Sequence, residues 1–315
     1  MRRVVLLYNP LSGGRRQLRQ KDVQAVRGVF EAAQIEVSAA ATTSAEDTSE
    51  RARWAAAGGA DAIIACGGDG TIHDVLQGVV GSDAAIGMIP MGTANTLAHD
   101  LGIPRSPLGA ARALLSAEAR RFAVGRVAYQ DFSAQPASRY FTVTAGVGLD
   151  AHLFHQLSKM TKQRLGMLAY YAQATQIWLT HEMQFFEAEF LAPSGERRRE
   201  TVTQLLAVRI AQFGGLLREL APGAGLSRDD LRLVLFKTDS RLRILRYVLQ
   251  GTFARKLRQV PGIEPAFAAR VQVRALASGR GQPPIYVEAD GELLGTVPAE
   301  ISMVANALTL LVPRK

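Results

Sequence analysis

Cysteine and long apolar runs are scarce in this chain of 315 residues, and each scarcity excludes a class of protein. Cys66 is the only cysteine, so neither an intrachain disulfide nor a cysteine-based zinc site can form. No uncharged apolar run approaches the ~20 residues that span a bilayer as a helix. The run Val4 to Tyr8 is too short for a signal peptide, and no cleavage site follows it. We therefore expect a cytoplasmic protein.

Aromatic and acidic residues are also few. Aromatic residues make up 7% of the chain and no recognition motif is present, which argues against nucleic acid as a partner. The 28 Asp and Glu residues stand against 37 Lys and Arg, which gives a net charge of +9. One interpretation is attraction to the anionic surface of a membrane. The other is a composition rich in Ala and Arg throughout, which raises the charge without any partner.

The most informative segment follows a short apolar strand that ends at Cys66. It reads Gly67-Gly68-Asp69-Gly70-Thr71, and a helix is predicted from Thr71 to Val80. Glycines let the backbone lie against a ligand, and the N–H groups at a helix start favour an anion. Asp69 would repel a phosphate unless a cation lay between them, which indicates magnesium. The segment predicts a nucleotide-phosphate site, and a plain strand-to-helix turn is the alternative.

Two further loops repeat this arrangement of apolar strand, polar loop and helix. The first follows the strand Val4 to Tyr8 and reads Asn9-Pro10-Leu11-Ser12-Gly13-Gly14. The other follows the strand Ala85 to Ile89 and reads Pro90-Met91-Gly92-Thr93-Ala94-Asn95. In an open parallel sheet such loops gather at the carboxyl ends of the strands, where ligands bind. We therefore expect all three loops at one edge of one sheet.

Strands and helices alternate over residues 1–125, which predicts an α/β nucleotide-binding domain with a doubly wound sheet. Residues 126–315 read as a mainly antiparallel β-sandwich. Its predicted strands are Met183–Leu191, Thr201–Ile210, Leu231–Phe236, Val271–Ala275, Ile285–Glu288, Glu300–Val304 and Leu308–Val312.

Two helical stretches interrupt the predicted β-sandwich. The first carries apolar residues at helical spacing from Leu153 to Trp178, and the second, Arg241 to Gln259, is rich in arginine. They are interpreted as a lipid-facing wall and a membrane-facing basic patch. The alternative is that the first packs on the sandwich and the second is a solvated helix.

The chain resembles members of the diacylglycerol kinase catalytic-domain family, which includes bacterial lipid kinases and sphingosine kinases. The matching segments are Asn9 to Gly13, Gly67 to Thr71, Gly92 to Asn95, Leu101 to Pro104, Gly146 to Ala151, Lys162 to Tyr170 and Asp290 to Glu292. Their order and spacing cover nearly the whole chain. The glycine run at Gly67 is less specific by itself, because NAD kinases and phosphofructokinases share it.

The resemblance implies a two-domain lipid kinase that uses ATP and Mg²⁺. It implies a phosphofructokinase-like α/β domain, a C-terminal β-sandwich that takes the lipid substrate, and ATP between the two. By position, the nucleotide contacts fall on Asn9, Pro10, Leu11, Ser12, Gly13, Thr42, Gly67, Gly68, Asp69, Gly70, Thr71, Ile72, His73, Gly92, Thr93 and Asn95. Thr43 is an adjacent alternative to Thr42, and the family's proton acceptor falls on Glu292.

The chemistry of phosphoryl transfer points to the same carboxylate. Such a reaction needs positioning, charge neutralisation and a group that orients or deprotonates the attacking hydroxyl. Asp290 and Glu292 flank Gly291 between two predicted strands, and a turn there projects carboxylates outward. The hypothesis is that Glu292, with Asp290 beside it, serves catalysis while Asp69 holds Mg²⁺ at the ATP phosphates. A polar hairpin tip is the alternative.

The sequence departs from the family pattern at three places. His73 stands where the family usually has Asn, and it is interpreted either as a ligand contact or as a histidine on the helix surface. Thr96 replaces a carboxylate after Asn95. Arg228 matches a key aspartate of the family's structural magnesium site, so that site is absent unless Asp229 takes the place of that aspartate.

Three functions remain. The first is an ATP-dependent kinase of a lipid hydroxyl, in transient peripheral contact with an anionic membrane surface, with a homodimer left open. The second is an NAD kinase, which is disfavoured because no second-domain segment resembles the nicotinamide-side motifs of that family. The third is a nucleotide-binding regulator with little or no catalysis.

Overall fold

A computed structural model describes residues 1–10, 16–148, 183–213, 220–253, 258–276 and 284–314, with only the backbone for residues 16–18. The chain divides into two compact units. The first consists of Met1–Val124 and Val304–Lys315, with a short segment that begins at Gln212. The second consists of the rest of the chain from Gly125 to Met303. The sequence predicted one division at residue 125, whereas residues from Val304 onward return to the first unit.

The sheet of the first unit is parallel and has the order β2-β1-β3-β4. These strands are β1 (Arg3–Tyr8), β2 (Glu36–Ala41), β3 (Ala62–Gly67) and β4 (Ala85–Pro90). The end of the last strand, β15 (Glu292–Val312), lies parallel to β4 with Thr309 opposite Ala85. Every residue of β3 and β4 is buried, which is typical of parallel strands covered on both faces.

Three helices connect the strands β1 to β4, and two more follow β4 in the part of the first unit that the structure describes. They are α1 (Arg16–Ala32), α2 (Ala45–Ala57), α3 (Asp69–Val79), α4 (Thr96–Asp100) and α5 (Pro107–Leu115). Helix α2 begins after Ser44 and α5 after Ser106, and each serine oxygen accepts a first-turn N–H group, as N-cap residues do. Helices α2 and α3 pack closely because Gly78 lies against α2, where a Cβ atom would be 2.2 Å from the Ser49 carbonyl oxygen.

The second unit is built from antiparallel strands. They are β5 (Glu118–Gln130), which begins in the first unit, β6 (Pro136–Phe141), β7 (Thr144–Gly148), β8 (Phe186–Leu191), β9 (Arg197–Val202), β10 (Gln204–Val208), β11 (Leu231–Phe236), β12 (Ile263–Ala268), β13 (Arg270–Ala275) and β14 (Tyr286–Ala289). One set of strands has the order β12-β11-β10-β7-β14-β15. The other set has the order β15-β13-β8-β9, so β15 takes part in both. Apolar side chains of both sets form one core. The predicted fold class is therefore confirmed.

Several predicted boundaries in the second half were wrong. The predicted strand Thr201–Ile210 is two strands, because the N–H and hydroxyl groups of Thr203 bond to the carbonyls of Phe236 and Thr238 and separate β9 from β10. The two predicted strands after Glu300 belong to the single strand β15. Strands β5, β6, β7 and β12 were not predicted.

The second unit also contains helix α6 (Arg241–Phe253), which covers the first part of the arginine-rich stretch. The apolar stretch from Leu153 to Trp178 lies outside the described residues. Among the residues that the structure describes, no helix is both long and apolar enough to cross a membrane.

The single cysteine provides a test of the first unit's sheet. Cys66 is completely buried in β3, and burial raises the pKa of its thiol to about 12. We expect a thiol reagent such as dithionitrobenzoate to leave Cys66 unmodified in the native protein at neutral pH and to react once denaturant unfolds the sheet. Labelling measured against denaturant concentration should follow the loss of helical circular dichroism. Rapid labelling without denaturant would contradict this placement.

Candidate functional site

The loops after β1, β3 and β4 leave the same edge of the first unit's sheet. Tyr8 pairs with Cys66, and Gly67 pairs with Pro90, so the carboxyl ends of the three strands are neighbours. Asn9 and Pro10 of the first loop are partly exposed there. The predicted contacts at Leu11, Ser12 and Gly13 lie outside the described residues.

The second and third loops touch through their backbones. A Cβ atom built on Gly92 would be 2.5 Å from the Gly68 Cα, and one on Gly68 would be 3.2 Å from the Gly92 Cα. The N–H group of Met91 donates to the Gly67 carbonyl at 2.8 Å. Backbone contact therefore requires glycine at position 92 and favours it at position 68, independently of any ligand.

The second loop leads directly into α3, which starts two residues earlier than the sequence predicted. Its first internal hydrogen bond runs from the Ile72 N–H to the Gly68 carbonyl at 3.2 Å. The N–H groups before Ile72 point out of the helix start, and the N-cap residue, Gly68, has no side chain to cap them. Together with the helix dipole, these donors suit the phosphates of a nucleotide.

Asp69 is the first residue of α3 and connects the second loop to the third. Its Oδ1 accepts the backbone N–H of Thr96 at 2.6 Å. A partly exposed carboxylate beside amide donors fits a Mg²⁺ ion that lies between it and ATP phosphates. The described residues contain no cluster of three or more His, Cys, Asp or Glu side chains able to hold a metal.

Two side chains fix the third loop, one from the loop itself and one from helix α1. Asn95 adopts the left-handed conformation, with φ at 49°. Its Oδ1 accepts the Gly92 N–H and its Nδ2 donates to the Gly92 carbonyl, both at 2.9 Å. From α1, the buried guanidinium of Arg19 donates to the Met91 carbonyl at 3.1 Å. Arg19 was missed by the sequence analysis, because nothing in the pattern of α1 distinguishes it from a surface arginine. Thr93 is exposed beside these residues.

Several of the predicted nucleotide contacts have buried side chains. The Thr42 side chain is completely buried, and its hydroxyl donates to the Tyr8 carbonyl at 3.4 Å, so it presents no surface to a nucleotide. The alternative, Thr43, is exposed, but its hydroxyl donates to Asp47 Oδ2. Ile72 and His73 are 3% and 2% exposed, so the interpretation of a surface histidine is wrong, and only their backbones could contribute to a nucleotide site.

In the second unit, Asp290 and Gly291 form the turn between β14 and β15. Ala289 pairs with Glu292, and the two residues between them have positive φ values of 49° and 83°. This is a two-residue hairpin of the type that favours Asp-Gly. The hairpin-tip interpretation is therefore correct as a description of the backbone.

Asp290 holds this turn against the start of β7. Its carboxylate accepts the backbone N–H groups of Thr142, Val143 and Thr144 at 2.9, 2.8 and 3.0 Å. Its own N–H donates to the Thr144 carbonyl. With both oxygens engaged by backbone donors, Asp290 positions the turn, and its catalytic role stays a prediction.

A second carboxylate, missed by the sequence analysis, supports the turn from inside. Glu288 is 1% exposed, and its Oε2 accepts the Gly291 N–H at 2.9 Å. It needs a glycine opposite, since a Cβ atom on Gly146 would be 2.6 Å from Glu288 Oε1. The family motif around Gly146 was the available signal for this packing.

Glu292 differs from both of these carboxylates. It is exposed, and its carboxylate has no hydrogen-bond or ion-pair partner among the described residues. Its backbone is nonetheless fixed, because it pairs with Ala289 at the first position of β15. The arrangement presents one accessible carboxylate from a rigid hairpin.

The residues around Asp229 do not fit the structural magnesium ion that the resemblance implies. Arg228 donates two hydrogen bonds to Asp230, at 2.6 and 2.8 Å. Arg209, 1% exposed, donates to the carbonyls of Arg228 and Leu226 at 2.6 and 3.3 Å. Burial lowers the pKa of Arg209 to about 10, and the charges of Asp229 and Asp230 oppose this shift. A cationic side chain already occupies this segment, so Asp229 is not supported as a metal ligand.

The two halves of the chain match two family models. Residues 3–127 match the diacylglycerol kinase catalytic domain. Residues 142–312 match the YegS C-terminal NAD kinase beta sandwich-like domain. A diacylglycerol kinase of Bacillus subtilis is 28% identical over 100% of this chain and 98% of the relative. A diacylglycerol kinase of Mycobacterium tuberculosis is 27% identical over 99% of this chain and 96% of the relative.

Solved structures support the same fold. A putative diacylglycerol kinase from Bacillus anthracis superposes with a TM-score of 0.73 at 18% identity, over 98% of this chain and 96% of that one. Yeast NADH kinase, solved with NADH, gives a TM-score of 0.54 at 9% identity, and the match covers 100% of this chain and 84% of that one. At these identities the likeness concerns the fold alone.

Removal of the Asp290 carboxylate should destabilise the second unit. Asp290→Ala leaves three backbone N–H groups without their acceptor, and we expect a loss of about 2–4 kcal/mol in the free energy of unfolding. The matched control is Asp131→Ala, because Asp131 accepts the N–H groups of Ser133 and Gln135 in an exposed turn. Denaturant titration measures both. Equal, small losses would contradict the positioning role.

The stability of the second unit should depend on Arg209 and be independent of divalent metal. We expect a chelator to leave the unfolding midpoint unchanged, and Arg209→Leu to cost about 2–4 kcal/mol because two carbonyls lose their buried donor. Arg228→Leu is the matched control, since its pair with Asp230 is exposed and is worth about 1 kcal/mol or less. A midpoint that falls with chelator and recovers with Mg²⁺ would overturn this assignment.

Proposed function

We propose that this chain, which belongs to the diacylglycerol kinase catalytic-domain family, transfers the γ-phosphate of ATP to the hydroxyl of a lipid alcohol. The observation that carries the proposal is the contact between the two glycine loops of the first unit. There the amide donors at the start of α3 and the Asp69 carboxylate lie together at the edge of the sheet where the parallel strands end. This combination suits a Mg²⁺-bound triphosphate rather than a bare anion.

In this proposal the loops hold ATP by backbone donors, and Mg²⁺ neutralises charge on the phosphates. Asp69 has two tasks, since it accepts the Thr96 N–H and also presents negative charge towards the ion. Arg19 keeps the third loop in place through the Met91 carbonyl. No phosphate contact is assigned to the side chains of Thr42, Ile72 or His73, because all three are buried.

Glu292 is proposed as the proton acceptor from the lipid hydroxyl. It is exposed and its carboxylate lacks a partner among the described residues, whereas the neighbouring Asp290 is fully engaged. Diacylglycerol is the acceptor suggested by the names of the relatives, and other lipid alcohols share the same reactive hydroxyl. Because such acceptors reside in membranes, we also propose peripheral contact with a membrane surface.

A nucleotide-binding regulator is the second candidate. Thr96, which replaces a carboxylate of the family, contributes its backbone N–H to Asp69, so the loop is held together without that carboxylate. A protein of this kind would bind ATP without phosphorylating any lipid.

The test is transfer of radiolabelled phosphate from ATP to a panel of lipid alcohols in mixed micelles. We expect Glu292→Gln to lower kcat by about 10²–10⁴-fold with unchanged ATP binding, because only proton transfer is lost. Asp69→Asn keeps an oxygen for the Thr96 N–H but loses its charge, so we expect normal stability and about 10–100-fold lower activity.

Glu196→Gln is the matched control, since Glu196 is an exposed glutamate at another hairpin tip. Undiminished turnover by Glu292→Gln would remove Glu292 from the reaction. ATP binding without transfer to any lipid in the panel would favour the regulator.

A further inference from the structure

Helix α6 carries a continuous row of exposed apolar side chains. Leu242, Leu245, Leu249 and Phe253 are 78, 39, 46 and 74% exposed. Their spacing of three, four and four residues places them on one face of the helix. We call these four residues the α6 stripe.

The opposite face of α6 already anchors the helix to the second unit. Ile244, Tyr247 and Gly251 are buried. The Tyr247 ring packs edge-on against Phe236 at 5.6 Å, and its hydroxyl donates to the Leu220 carbonyl. The α6 stripe is therefore not used for packing against the described residues, and its exposure is not a consequence of a detached helix.

The apolar exposure is concentrated on this helix. Among the described residues, five of thirteen exposed large hydrophobic side chains lie on α6, namely Leu242, Leu245, Val248, Leu249 and Phe253. Elsewhere exposed residues such as Trp54 occur apart from such a row, which is ordinary for a protein surface. A contiguous patch of this kind marks an interaction surface.

The charge of α6 indicates the partner. The helix contains Arg241, Arg243 and Arg246 and no acidic residue, and Arg243 and Arg246 are exposed. An apolar stripe bordered by arginines is the pattern of a helix that lies in the interface of a membrane. A second copy of the chain is a poorer fit, because pairing two α6 helices would bring their arginines together without acidic partners.

We propose that α6 docks the protein on an anionic lipid leaflet. The α6 stripe enters the boundary between headgroups and acyl chains, and Arg243 and Arg246 contact the lipid phosphates. This rests on the peripheral membrane contact proposed above and names its surface, and it is separable from the kinase activity because binding to lipid requires neither ATP nor an acceptor.

The test is sedimentation of the full chain, without nucleotide, with vesicles of phosphatidylcholine alone or mixed in equal parts with phosphatidylglycerol. Substitution of the stripe by Leu242→Ser, Leu249→Ser and Phe253→Ser together should weaken binding roughly 100-fold. Arg243→Gln with Arg246→Gln should weaken binding to the mixed vesicles by roughly fivefold per arginine and reduce the preference for them. Trp54→Ser, an exposed aromatic residue on α2, is the control and should bind like the wild type.

Three outcomes would overturn the proposal. One is vesicle binding by the stripe variant that equals that of the wild type. Another is a wild-type dimer in light scattering that the stripe variant converts to a monomer, which would assign the stripe to a second copy. The last is a lower unfolding midpoint for the stripe variant, which would show that another part of the chain covers it.

The kinase proposal is tested separately with a short-chain diacylglycerol in solution. The stripe variant should phosphorylate it at the wild-type rate, because docking is not needed for a dissolved acceptor. Vesicle binding that persists in a protein with no kinase activity would leave the docking surface intact and remove the proposed function alone.

Discussion

The candidate site depends on a backbone contact that no side chain could permit. The loops after β3 and β4 approach until the Gly68 and Gly92 backbones touch, and any Cβ atom on Gly92 would lie inside this contact. The Met91 N–H and the Asp69 carboxylate then connect the same two loops by hydrogen bonds. These contacts lie within one unit, so the loops hold their relative positions before any nucleotide binds. Such preorganisation avoids part of the ordering cost of binding.

The first unit was predictable because its signals are local. Parallel strands covered on both faces read as continuous apolar runs, and the predicted strands Val4 to Tyr8 and Ala85 to Ile89 agree with β1 and β4 to within one residue at each end. The second unit was less predictable because distant contacts fix its strand ends. Thr203 separates β9 from β10 only through bonds to Phe236 and Thr238, and β15 continues through Asn306 despite that residue's φ of 48°.

The same distinction applies to the site residues. The glycines could be identified from the sequence, since close backbone approach leaves a compositional signal. The side chains that support them could not. Whether Thr42 faces a ligand or the Tyr8 carbonyl, and whether Arg19 lies on the surface or beneath the third loop, depends on packing with residues far away in sequence. Residue type identified the chemistry available, and tertiary structure decided which groups are free to use it.

The three acidic residues around one turn show this division most clearly. Glu288 is buried and accepts the Gly291 N–H, and Asp290 accepts three N–H groups from the start of β7. The carboxylates of both residues therefore accept hydrogen bonds that fix the hairpin. Glu292, by contrast, has a fixed backbone and an exposed carboxylate. A proton acceptor needs both properties, because its position must be reproducible and its lone pairs must be available to the substrate. If a single carboxylate both fixed the turn and served as the proton acceptor, its lone pairs would already be used in the hydrogen bonds of the turn. Because Glu288 and Asp290 make the hydrogen bonds that fix the turn, the carboxylate of Glu292 is not needed for that purpose and stays exposed.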